Sequence, residues 1–150
     1  MNKIKWIYKY FSELDLHELY AILHVRSEVF VVEQNCPYLD ADNKDQEAYH
    51  LCGWKENILV AYARILPPGL AFNEASIGRV LTKPSYRRYG GGRHLMKVAI
   101  EKTLEQYKVN EIRIGAQMYL QQFYTSLGFK ENSEPYLEDG IPHIEMLLTK

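Results

Sequence analysis

A run of three glycines behind a pair of arginines, Arg87-Arg88-Tyr89-Gly90-Gly91-Gly92-Arg93, constrains the fold more than any other stretch. An apolar, β-prone segment, Ser76 to Thr82, precedes it, and Leu95, Met96, Ala99, Ile100, Thr103, Leu104 and Tyr107 follow at three- and four-residue spacing. The order is strand, basic glycine loop, helix. Adjacent glycines permit a tight turn and a close approach to the amides, while the N–H groups of a helix's first turn point out of its positive end. Such a stretch is expected to cradle an anion, and phosphate fits it best.

Spacing separates three phosphate-binding loops. A nucleotide P-loop, G-x-x-x-x-G-K-S/T, finds neither Lys nor Ser/Thr at the right place after Gly92. A dinucleotide fingerprint, G-x-G-x-x-G/A, is met by Gly90 and Gly92 and fails at Leu95. The pattern R/Q-x-x-G-x-G/A is matched outright by Arg87, Gly90 and Gly92. It resembles the pyrophosphate-binding motif of the GNAT family of N-acetyltransferases, which bind acetyl-CoA. Further along, Phe123-Tyr124-Thr125-Ser126-Leu127-Gly128-Phe129 is similar to that family's F-Y-x-x-x-G-F segment. The strings Val29-Phe30-Val31-Val32-Glu33-Gln34, Gly115-Ala116-Gln117 and Asp139-Gly140-Ile141-Pro142-His143 resemble its ElaA-like subgroup.

Bulk properties agree with an enzyme-sized domain. A chain of 150 residues, 47% apolar and 25% charged, is long enough to enclose a core and is expected to form one domain over residues 1–150. The net charge of −1 favours no nucleic-acid partner, and no apolar run approaches a membrane span. Cys36 and Cys52 are too few for a secreted disulfide scaffold, so a reducing cytoplasm is the expected setting. With His50 and His143 they lack metal-ligand spacing, and no metal is expected.

Taken in order, Ile4 to Phe11 reads as a strand ending at Ser12, a plausible helix cap, and a helix follows from about Leu14 to about Val31. Pro37 and neighbouring turn formers end it. Asp40, Asp42, Asp45 and Glu47 are then expected in a solvated loop that also offers charge to a cationic acceptor. Tyr49–Lys55 and Ile58–Leu66 read as strands, as do Ser76–Thr82 and Glu111–Ala116. Met118–Leu127 reads as a helix capped at Gly128, and two strands, about Phe129–Tyr136 and Ile141–Leu148, close the chain. The fold class is a mixed α/β (α+β) sandwich, and the resemblance implies a GNAT-type sheet of about seven strands with helices on both faces.

The resemblance also implies a division of labour. Backbone amides from Arg88 to Arg93, through Tyr89, Gly90, Gly91 and Gly92, would meet the pyrophosphate, with Arg87, Arg88 and Arg93 adding charge. The edge of the preceding strand, Val80, Leu81 and Thr82, would hold the pantetheine arm, and an amide near Leu81 would stabilise the oxyanion. Tyr124 would be the general acid for the departing thiolate, although its place on an apolar helix stripe also suits a core role. Glu33 is the first choice of base, with His50 and His143 as alternatives. Glu33, His50, Gln117, Asp139 and His143 form the acceptor side. The implied activity is acetyl transfer from acetyl-CoA to an amine of a small molecule or peptide by direct attack on the thioester. The alternative is a non-catalytic acyl-CoA-binding module, and a homodimer stays open.

Overall fold

The computed structural model describes residues 3–87 and 90–150. β1 (Lys5–Tyr10) leads through a 3-10 turn to α1 (Leu16–Arg26), and β2 (Tyr49–Lys55), β3 (Ile58–Leu66) and β4 (Ala75–Thr82) follow. The short α2 (Pro84–Arg87) precedes α3 (Gly91–Tyr107), β5 (Glu111–Gln117), α4 (Gln121–Thr125), β6 (Lys130–Glu131), β7 (Tyr136–Glu138) and β8 (Ile141–Thr149). The eight strands form one mixed sheet in the order β1-β2-β3-β4-β5-β8-β6, with β7 also paired to β8.

Both faces of this sheet are covered, and β3 shows why its sequence is apolar almost throughout. Its side chains alternate: Ala61, Ala63 and Ile65 join Leu95, Met96 and Ala99 of α3, while Tyr62 joins Ile22, Val25, Phe30 and Cys52 on the α1 side. Loss of water from such apolar surface, roughly 25 cal/mol per Å², is the main attraction between the layers.

Several helix and strand ends differ from expectation for local reasons. α1 is capped by Asp15, which accepts from Glu18 N–H at 2.7 Å while Glu18 reaches back to Asp15 N–H at 2.9 Å; this reciprocal box displaces Ser12, which lies in the 3-10 turn. The helix expected to Val31 runs on instead as a π-helical segment, Ser27–Glu33. Wider turns of this kind are frequent at functional sites, and this one lines the cleft described below. The expected strand Phe129–Tyr136 is broken between β6 and β7, because Pro135 lacks a ladder N–H and Ser133 Oγ takes the N–H of Glu145 at 2.9 Å.

The feature that makes a site is a split in the sheet. β4 and β5 are its only parallel pair among the described strands, and they pair only at Ala75–Ile112 and Ser76–Arg113. Past Ser76, β4 stays on β3 as far as Thr82, and β5 stays on β8 as far as Gln117. Two wings therefore diverge, each held by its own antiparallel neighbour.

Candidate active site

The diverging wings enclose a cleft of about 1210 Å³ that runs from the amino end of α3 to the β7–β8 turn. At the α3 end of the cleft, Gly90 caps the helix with φ 68°, a left-handed conformation that glycine adopts without strain. Gly91 packs so closely that an added Cβ would lie 2.5 Å from the Tyr86 ring and 2.7 Å from its carbonyl oxygen. Gly90, Gly92 and Arg93 line the cleft, and the first-turn amides of α3 have no intrahelical acceptor. Arg88 and Tyr89 lie outside the described residues. Arg93 donates to Ser126 Oγ at 2.6 Å, and Arg87 donates to Thr82 O at 2.9 Å and forks both oxygens of Glu33 at 2.7 and 2.9 Å.

Along one wall, β4 carries a bulge. Tyr62 faces Leu81 and Arg64 faces Gly78, so Ala63 alone on β3 stands against Arg79 and Val80 on β4, and the extra residue is accommodated where Arg79 adopts φ 51°. Lys83 N–H donates to Val60 O at 2.8 Å. Strand alternation then turns the Leu81 amide toward β3 and the Thr82 amide toward the unpaired edge. Within the stretch near Leu81, the amide turned to the free edge is therefore that of Thr82, and Val80 lies between the bulged Arg79 and Leu81.

Beneath the bulge lies an ion network that sequence reasoning missed. Arg26 donates to Asp40 and to Asp45, each at 2.7 Å. Arg64 grips Asp42 at 2.7 and 2.8 Å and Asp45 at 2.9 Å, and Arg79 holds Asp40 at 2.8 Å. Arg26, Arg64, Asp40 and Asp45 are buried. The acidic stretch is therefore no solvated loop: Asp40, Asp42 and Asp45 are spent on internal cations. Burial alone raises the Asp42 carboxyl, and the Arg64 guanidinium outweighs it, holding the group well below the usual carboxylate range.

The opposite wall supplies Tyr124 from α4. Its ring is a core element, edge-on to Phe123 and Phe129 at centroid distances of 5.1 and 5.9 Å. Its hydroxyl makes no hydrogen bond among the described residues and opens on the cleft. Burial, with a contribution from Tyr119, pushes the phenol up to about 12, so the proton is retained at neutral pH. Core packing and an available hydroxyl coexist in one side chain.

Gln117, Asp139 and His143 line the same cleft, as do Cys36, Tyr136 and Glu138, and Glu33 lines it from the π-helical segment. Gln117 Nε2 meets Gln34 Oε1 at 3.4 Å, and the Cys36 thiol donates to the Asp139 carbonyl at 3.4 Å. Glu33 is lowered in pKa by its hydrogen bonds to Arg87, which weakens it as a proton acceptor. His50 is not at the cleft. It is fully buried, with Nδ1 2.6 Å from Tyr62 Oη and Nε2 3.0 Å from Asp45 O, so its place on the acceptor side is corrected to an internal one. No group of three or more His, Cys, Asp or Glu among the described residues is placed to hold a metal, and no described helix is long and apolar enough to cross a membrane.

Comparison with known proteins bears on this geometry. Residues 21–150 match a family model described as an acetyltransferase (GNAT) domain. Protein ElaA of Escherichia coli is 44% identical over 145 residues, covering 95% of either chain. Its crystal structure superposes with a TM-score of 0.90 over 97% of this chain and 99% of that one. An acyl-CoA N-acyltransferase from Pseudomonas aeruginosa, 39% identical, superposes with a TM-score of 0.93 over 98% and 100% of the two chains. The fold alone is shared with BjaI, a CoA-dependent acyl-homoserine lactone synthase solved with SAM and isopentyl-CoA, at 16% identity, a TM-score of 0.73 and coverage of 99% and 83%.

Proposed function

The chain belongs to the GNAT acetyltransferase family, and on that premise we propose that it transfers an acetyl group from acetyl-CoA to an amine of a small molecule or peptide by direct attack on the thioester. The observation that carries the proposal is the parting of β4 from β5 after Ser76, which leaves a strand edge free between the α3 amides and the Tyr124 hydroxyl. The pyrophosphate sits against the first turn of α3, where unpaired N–H groups and the helix dipole favour negative charge. The pantetheine arm extends along the free edge of β4 and takes the Thr82 amide. The Val80 amide serves the oxyanion, a fixed donor of the kind that contributes about 3–4 kcal/mol elsewhere.

Direct transfer balances simply. The amine nitrogen bonds to the thioester carbon, the carbonyl pair moves to oxygen, and collapse of the tetrahedral intermediate expels the sulfur. Tyr124 gives its proton to that sulfur, and the amine nitrogen gives up a proton to a base. A phenol keeps its proton at neutral pH and can donate it as charge develops on the sulfur, which suits the first role.

The test is acceptor-dependent release of free thiol from acetyl-CoA, measured with a panel of polyamines, amino acids, aminoglycosides and peptides. Release with at least one amine class is the expected result. Tight coenzyme binding with no acceptor-dependent release from any class makes the protein an acyl-CoA-binding module instead.

A further inference from the structure

The attacking amine needs a proton acceptor, and among the acceptor-side groups only one offers a lone pair that the fold has already oriented. Glu33 is forked by Arg87, and His50 spends both ring nitrogens inside the protein. His143 differs from both. On β8, Ile144, Met146 and Leu148 turn into the α3-side core, so alternation sends His143 to the opposite face, where it lines the cleft while only 6% exposed. It stands opposite Gln117 on β5 and opposite Tyr136 on β7.

Two contacts set the imidazole's chemistry. Its Nδ1 lies 2.7 Å from the Ile141 carbonyl oxygen. A carbonyl only accepts, so Nδ1 carries the proton and Nε2 keeps its lone pair. The Tyr136 ring stacks on the imidazole at 5.8 Å, and Gly115 makes room for it, since a Cβ there would lie 2.9 Å from Tyr136 Oη. On the far side, Glu138 Oε2 is 3.7 Å from Nε2. That distance is too long for a hydrogen bond with the neutral ring, yet the carboxylate stands ready for the imidazolium. Other charged or titratable groups lining the same cleft include Asp139 in the turn, Cys36 in the facing loop, Tyr124 on α4 and Glu33 on the π-helical segment, while Glu145, two residues on along β8, is paired with Arg113 at 3.1 Å.

Resting on the acetyltransferase reading, we propose that His143 Nε2 is the general base of this enzyme, with Ile141 O fixing its tautomer and Glu138 stabilising its protonated form. As the C–N bond forms, the proton on the attacking nitrogen passes to Nε2, and the imidazolium returns it to solvent after the amide departs. Tyr124 supplies the separate proton taken by the thiolate, and solvent restores it.

The experiment joins kinetics to a measurement that needs no acceptor. His143→Asn keeps a donor at the Nδ1 position while removing the basic nitrogen. With an acceptor from the panel, kcat is expected to fall about 100-fold or more at neutral pH. The acid limb of the wild-type kcat/KM profile is expected to disappear, with acetyl-CoA affinity unchanged. His143→Gln guards against a folding defect in the first variant. Imidazole nitrogen NMR of the wild-type protein is expected to show the Nδ1–H tautomer. An Nε2–H tautomer, a variant that keeps the wild-type pH profile, or a rise in acceptor KM at constant kcat each overturns the assignment. Absence of acetyl transfer by the wild-type protein to every acceptor overturns the acetyltransferase reading itself, and any base role with it.

Discussion

The two walls of the cleft are built on different principles. The β4 wall offers backbone and is braced from below by buried charge, with Arg26, Arg64 and Arg79 clasping Asp40, Asp42 and Asp45 under a bulged strand. The wall made by α4, β5, β7 and β8 offers side chains, among them a phenol without a partner among the described residues and an imidazole with one nitrogen committed. A braced backbone keeps one geometry, whereas side chains can adjust to what enters the cleft. Damage to the first wall should therefore register mainly as lost stability, and damage to the second as lost turnover.

The largest expected effect is at Asp45, which accepts from Arg26 and Arg64 together at 2.7 and 2.9 Å. Asp45→Ala takes one carboxylate from each of two buried arginines, leaving Asp40 to Arg26 and Asp42 to Arg64, and is expected to cost about 3 kcal/mol in urea unfolding. The same network predicts an acid-sensitive fold. Asp42 and Asp45 both have depressed pKa values in the native state, where their arginine partners outweigh the opposing effect of burial. The unfolded chain therefore binds more protons at low pH, and the stabilisation is complete above the unfolded carboxylate range and falls away below about pH 4. Unfolding midpoints between pH 3 and 6 check the slope. A flat profile in the wild-type protein contradicts the bracing role.

How much of this was legible from the residues follows the range of the interactions. Strand, glycine loop and helix are local, so the periodicity from Leu95 to Tyr107 and the glycine run placed α3 within a residue or two. Tyr124 was legible as a motif position, and its dual character as ring in the core and hydroxyl in the cleft could be anticipated from amphipathic chemistry. The bulge was not: Arg79 sits in a β-prone run, and its partner Asp40 is 39 residues away. Asp40, Asp42 and Asp45 looked like a solvated acidic loop because charge compensation depends on arginines brought by other elements. Arg87 and Glu33 are 54 residues apart, so no spacing rule joins them. His50 and His143 both occupy strands, and only the sheet's register sends one inside and the other to the cleft.

Next in size is Tyr124→Phe, which sharpens the contrast because it should leave the fold alone. The lost hydroxyl has no hydrogen-bond partner among the described residues, so the unfolding midpoint is expected to stay put while kcat falls roughly 100-fold or more. Unchanged maximal turnover removes Tyr124 from the acid role. The glycines give a smaller, graded effect on the donor wall. Gly91→Ala meets the Tyr86 ring and carbonyl at 2.5–2.7 Å and is expected to cost about 1–3 kcal/mol, read as a lower unfolding midpoint and weaker acetyl-CoA binding in calorimetry. Gly92→Ala meets only Phe123, at 3.6 Å. Its stability should match the wild type, so any loss of acetyl-CoA affinity there reports on the cradle alone.

The smallest expected effect is at Glu33, on the π-helical segment that lines the cleft. Its bidentate pair with Arg87 joins that segment to α2, yet both side chains are about two-fifths exposed, and solvent-screened pairs are usually worth about 0–1 kcal/mol. Glu33→Gln keeps an acceptor for Arg87 and removes the charge. Stability should therefore fall by less than about 1 kcal/mol, and kcat should change less than about fivefold, because a carboxylate already held by a guanidinium accepts protons poorly. The unneutralised Arg87 stands just before the glycine loop in the chain, so acetyl-CoA should bind slightly tighter and with a steeper dependence on salt. A 100-fold fall in kcat on Glu33→Gln, beside a nearly active His143→Asn, would exchange the two assignments. The base would then lie on the π-helical segment rather than on β8.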